Sequence, residues 1–90
     1  MLINNVVEMG DLLLIDTDRS FTGQDGAAIT PDSPGDAVPG MLAERLFALD
    51  PSIDYVYVLQ NAVTVRRSEN WDEASKTAAL SVVEGFLLFY

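Results

Sequence analysis

The segment from Ile53 to Arg67 constrains this chain more than any other. Ile53, Tyr55, Tyr57 and Leu59 alternate with Asp54, Val56, Val58 and Gln60, so both faces of the implied strand are largely apolar and it belongs in a central or covered position. Gln60-Asn61 suits a tight turn, because Asn tolerates positive φ. The chain then returns with Val63 and Val65 on one face and Ala62, Thr64 and Arg66 on the other. Such a hairpin needs cover, and helical periodicity before and after it supplies two candidates. Leu42, Leu46 and Leu49 recur at helical spacing with Ala43 and Phe47 beside them, which gives a helix of about ten residues from Pro39, ended by Asp50-Pro51. Asn70 with Glu73 three residues on makes a capping-box pattern that opens a longer final helix. Its apolar stripe runs Trp71, Ala74, Ala78, Val82, Phe86 and Phe89, widened by Leu80, Val83 and Leu87, with Gly85 weakening the last turn.

Upstream, Val6-Val7 and Leu12-Leu13-Leu14-Ile15 flank Met9-Gly10-Asp11, and apolar runs on either side of a Gly-Asp turn read as a hairpin with strands at about 2–8 and 12–17. Residues 18–26 are polar and glycine-punctuated; Ala27-Ala28-Ile29 after them can form a third short strand. Thr30-Pro31 offers an N-cap and a first helical proline, with Pro34-Gly35 limiting any helix there to a single turn. The order β-β-(β)-α-β-β-α implies an α+β fold, a small antiparallel-rich sheet with two helices packed on one face, built by residues 1–90 as a single domain.

Hydrophobic residues at 49% against 21% charged fit a globular chain rather than a disordered one. Five Lys and Arg against fourteen Asp and Glu leave a net charge of −9, which argues against nucleic acid and anionic membranes as partners. With no Cys and no His there is no thiolate, no imidazole ligand and no side chain whose ordinary pKa sits near neutrality. No basic stretch precedes an apolar core at the start. The longest apolar runs, 12–15 and 86–90, are far short of the roughly 20 residues that span a bilayer. The expected setting is the cytoplasm, or an organelle matrix after removal of a transit peptide.

Three segments together resemble the N-terminal domain of the Nfu/NifU-type iron–sulfur scaffold proteins. Pro39-Gly40-Met41-Leu42-Ala43-Glu44-Arg45-Leu46-Phe47-Ala48-Leu49 looks like that family's helix, with its Leu-Ala and Leu-Phe pairs. The stretch 53–67 looks like its central hairpin, and Trp71-Asp72-Glu73 like the tryptophan that opens its last helix. Thr30-Pro31 matches the Ser-Pro before the first helix, so the likeness covers roughly residues 27–88. The family's Thr-Pro-Asn-Pro-Asn run is replaced here by Val7-Glu8-Met9-Gly10-Asp11, so no role for that loop carries over. The resemblance implies the accessory half of such a scaffold standing alone, without the Cys-x-x-Cys domain. It would act as a non-catalytic adaptor in iron–sulfur assembly or delivery, with scaffold or client proteins as partners and no cofactor of its own. The alternative is a generic interaction module or homodimer.

Candidate chemistry is sparse. Asp16, Asp18 and Ser20 echo the opening of a calcium loop, but Phe21 stands where glycine is needed and no closing glutamate follows, so a solvated acidic loop is the simpler reading. Gly23 and Gly26 lack the lysine and following helix of a phosphate cradle. No base is spaced to activate Ser or Thr, and no enzymatic activity is expected. The candidate partner contacts are Tyr55, Tyr57, Arg66, Arg67, Phe89 and Tyr90. Tyr55 and Tyr57 either pack beneath a helix or, left uncovered, form an apolar patch of the kind that marks a partner site. Arg66-Arg67 is the sole adjacent basic pair, either solubilising a strand end or steering an acidic partner. The terminal Phe86-Leu87-Leu88-Phe89-Tyr90 holds more apolar surface than one helix face buries; simple core packing is one reading and dimerisation or docking through part of it the other.

Overall fold

A computed structural model describes residues 3–21, 26–32 and 38–89, with backbone alone at 38 and 89. Its elements are β1 (Ile3–Met9), β2 (Leu12–Thr17), β3 (Ala27–Ile29), α1 (Val38–Leu49), β4 (Ile53–Leu59), β5 (Ala62–Arg67) and α2 (Glu73–Phe89). The strands form one five-stranded sheet in the order β1-β2-β5-β4-β3, with every neighbouring pair antiparallel. This is the expected α+β architecture, the third short strand included. Thr30 closes a bridge and Pro31 and Asp32 lie in a turn; the rest of the single helical turn expected there, 33–37, lies outside the described residues.

Antiparallel register puts paired residues on one face, so the core can be read across the strands. Leu13 pairs with Val65, which pairs with Val56, which pairs with Ile29; Ile15 pairs with Val63, which pairs with Val58. All are buried, and the covering side chains are Leu42, Ala43 and Leu46 of α1 and Ala79, Val83, Phe86 and Leu87 of α2. Phe21 closes one end of this layer, its ring 6.2 Å from that of Phe86.

Four local expectations change. In the β4–β5 turn it is Gln60 that takes positive φ, at 54°, while the Asn61 side-chain amide donates to the Thr17 carbonyl at 3.0 Å. Asn61 is thus used as a tie between hairpins. The start of α2 lies two residues past the Asn70 cap: the Ser75 backbone N–H donates to Asp72 Oδ1 at 2.7 Å and the Asp72 N–H to Ser75 Oγ at 3.0 Å. The buried stripe of α2 is Ala79, Val83, Phe86 and Leu87. Ala74 is exposed and Ala78 and Val82 are half-buried, so the helix is rotated from the expected face. Finally, a register shift between Ile53 and Tyr55 breaks the alternation of β4. Ile53 is buried with the Val56 face, and Tyr55 and Tyr57 project from the opposite face, away from both helices.

Candidate functional site, the open face of the sheet

The same register that builds the core also builds its reverse. Met9 pairs with Leu12, Leu12 with Arg66, and Arg66 with Tyr55; one step along, Val7 pairs with Leu14, Leu14 with Thr64, Thr64 with Tyr57, and Tyr57 with Ala28. Among the described residues no helix covers this face. Met9 is 59% exposed, Val7 42% and Leu59 36%, while Leu12, Leu14, Tyr55, Tyr57 and Thr64 are half-buried by one another. Single exposed apolar side chains are ordinary on proteins, but a contiguous sheet of them that includes two aromatic rings has the make-up of a partner surface.

Two features hold the aromatic part of this face in place. The Arg66 guanidinium donates from Nε to Asp54 Oδ1 at 2.9 Å and lies 5.1 Å from the centre of the Tyr55 ring. The hydrogen bond to the Asp54 carboxylate raises the Arg66 pKa above its ordinary value. Tyr57 lies against Gly26, where a side-chain carbon would overlap its hydroxyl. Glycine at 26 therefore leaves room for the hydroxyl end of the Tyr57 ring. The face is thus apolar and aromatic, with one ion pair and the hydroxyls of Tyr55, Tyr57 and Thr64 as polar handles, a composition suited to gripping another protein.

Arg67, beside Arg66 in sequence, points the other way and belongs to the frame. It is 7% exposed, and its Nε donates to Asp50 Oδ2 at 3.0 Å and its Nη1 to the Asn70 carbonyl at 2.7 Å. Its guanidinium stacks 5.3 Å from the Trp71 ring, and the Trp71 indole N–H donates to the Asp11 carbonyl at 2.9 Å. The Trp71 backbone N–H reaches the Gly10 carbonyl at 3.0 Å. These contacts tie the end of α1, the β1–β2 turn and the lead-in to α2 at one point, so the expected partner role of Arg67 gives way to an internal one. Of the other expected contacts, the Phe89 side chain and Tyr90 lie outside the described residues. The neighbouring Leu88 is 70% exposed.

The sheet face also contains residues absent from the sequence-based set: Val7, Met9, Leu12, Leu14 and Leu59. The unbroken run Leu12-Leu13-Leu14-Ile15 was their signal, since a strand apolar at every position has two apolar faces and α1 and α2 cover one.

No protein-family model matches this chain, and no curated protein does. Among solved structures the chain is similar to the crystal structure of protein SAV1430 from Staphylococcus aureus, with a TM-score of 0.62 and 15% sequence identity over 97% of this chain and 99% of that one. At that identity the likeness is one of fold.

Proposed function

We propose that this protein is a non-catalytic adaptor that grips a partner protein with the open face of its sheet, and that the partner belongs to iron–sulfur cluster assembly or delivery. The observation that carries the docking role is the uncovered apolar and aromatic face, centred on Tyr55, Tyr57, Leu12 and Leu14 and fixed by the Arg66–Asp54 pair. Support for the iron–sulfur setting comes from the resemblance of 39–49, 53–67 and Trp71-Asp72-Glu73 to Nfu/NifU N-terminal domains. With no cysteine or histidine in the sequence, the chain offers neither thiolate nor imidazole to a cluster, so its part in such a pathway runs through contacts with proteins that do.

The charge distribution favours a different protein over a second copy as the occupant. Two copies at −9 each repel, whereas the face itself carries little net charge, with Arg66 offsetting Asp54 and Asp16 at its margin. Affinity capture from native lysate of the source cells tests the reading. Recovery of an iron–sulfur scaffold or client that depends on Tyr57 is the expected outcome. Capture of partners that all lack iron–sulfur chemistry would remove the pathway, and a stable homodimer closed through Leu59 and Met9 in light scattering would replace the adaptor with self-association.

A further inference from the structure

A second surface lies at the far edge of the sheet and rests on different observations. Among the described residues, strand β1 ends the strand order and pairs with β2 on one side alone, in unbroken register from Asn5 to Met9. Its outer edge is a row of backbone donors and acceptors that the sheet does not use, which is the template to which an extended peptide adds. Above this edge runs one side of α2. Lys76, Leu80 and Glu84 are spaced four residues apart and so share a line along the helix. At the turn end of β1 the Lys76 ammonium is 3.4 Å from the Glu8 carboxylate and 3.0 Å from that of Glu73. Toward the other end, Leu80 and Glu84 face Ile3, Asn4, Asn5 and Val6 across a groove of about 340 Å³.

We infer that the β1 edge and this groove take an extended segment of a partner protein carrying lysine or arginine, added to the sheet as a further strand. Backbone pairing along Asn5 to Met9 supplies the template. The apolar floor of Ile3, Val6 and Leu80 takes alternate side chains of the incoming strand, because such side chains fall on one face every second residue. Charge sets the sign: Glu84 is exposed at the groove, the side chains beside it are the amides of Asn4 and Asn5, and the whole chain is at −9. The cation at the other end, Lys76, already has two carboxylates against it and adds little repulsion. A helix laid in the groove would leave the β1 backbone edge unpaired, so an extended occupant fits better. Pairing of β1 with β1 of a second copy would crowd Glu8 and Glu84 of two strongly acidic chains together, so a basic segment of another protein is the better match.

The test uses the full chain and two capped octapeptides, one alternating valine with lysine and one alternating valine with glutamate. Binding is followed by calorimetry and by amide hydrogen exchange. The lysine peptide should bind and slow exchange along Asn5 to Met9, leaving β3 at the opposite edge unchanged, and the glutamate peptide should bind much more weakly. Glu84→Lys should weaken the lysine peptide by about fivefold, whereas Glu44→Lys, the same charge change at an exposed site on α1, should have little effect. No binding of the lysine peptide, protection that falls on β3 or misses β1, or equal losses in the two variants would each overturn the inference.

Discussion

Arg66 and Arg67 are neighbours in sequence whose surroundings differ in everything that sets the value of a charge. Arg67 is enclosed between Asp50 and Trp71, and its removal leaves a largely buried Asp50 carboxylate short of its cation and the Trp71 ring without its stacking partner. Arg67→Ala should therefore destabilise the protein by about 2–4 kcal/mol, read by chemical denaturation. Arg66 is half-exposed with Asp54 and solvated, so Arg66→Ala should leave the denaturation midpoint nearly unchanged and weaken partner binding instead. An equal loss of stability in both variants would contradict this division of roles. The difference was legible in principle, because Arg67 follows Val63 and Val65 at a spacing of two and must share their inward face. What the sequence did not display was the cluster awaiting it: Asp50, Asn70 and Trp71 are gathered by tertiary contacts rather than by local pattern.

At the scale of elements, α2 shows where local signals are strong and where they mislead. Its existence and approximate length follow from periodicity, but the reciprocal cap is formed by Asp72 and Ser75, two residues past the expected Asn70 and Glu73. The face it buries was set by the sheet rows and not by the most apolar line through the helix, which left Ala74 in solvent and carried Ala79 into the core. Bulges were equally invisible: one register shift in β4 moved Ile53 from the tyrosine face to the core. Gly85 sits within α2 with nothing within 4 Å of the position a side-chain carbon would take. Gly85→Ala should therefore stabilise the protein by about 0.5–1 kcal/mol, seen as a rise in Tm. The helix also sets a pH dependence. The backbone N–H and hydroxyl of Ser75 hold the Asp72 carboxyl below its ordinary 3.8, so its contribution is present above that pH and is lost as pH falls through the lower folded value. Lys76 is raised above 10.5, first by Glu73 and then by Glu8, so its contribution is complete below 10.5 and is lost as pH rises through the higher folded value. Stability should thus decline at both extremes. Asp72→Asn, which still caps but does not titrate, should flatten the acid limb of a Tm-against-pH curve, and an unchanged acid limb would count against the cap.

For the whole molecule, the arrangement of layers decides which surface is left open. Two helices are enough to cover one face of a five-stranded sheet, and the other face is made apolar by the same strands that build the core. Core integrity is a separate quantity from that surface: Leu13→Ala, at a fully buried position between the sheet and the helices, should cost about 2–5 kcal/mol in denaturation. Substitutions on the open face should cost far less. The fold class, strand order in sequence and both hairpins were legible because alternation and turn residues are local. Which face stayed bare was not, because an apolar strand looks the same whether a helix or a partner covers it. The most direct measurement is therefore partner capture by the double variant Met9→Lys, Leu59→Lys beside the unaltered chain, with Tm recorded for both. The docking account predicts that the variant keeps its Tm and loses the partner; a variant that keeps its Tm and recovers the same partner in the same amount would contradict it.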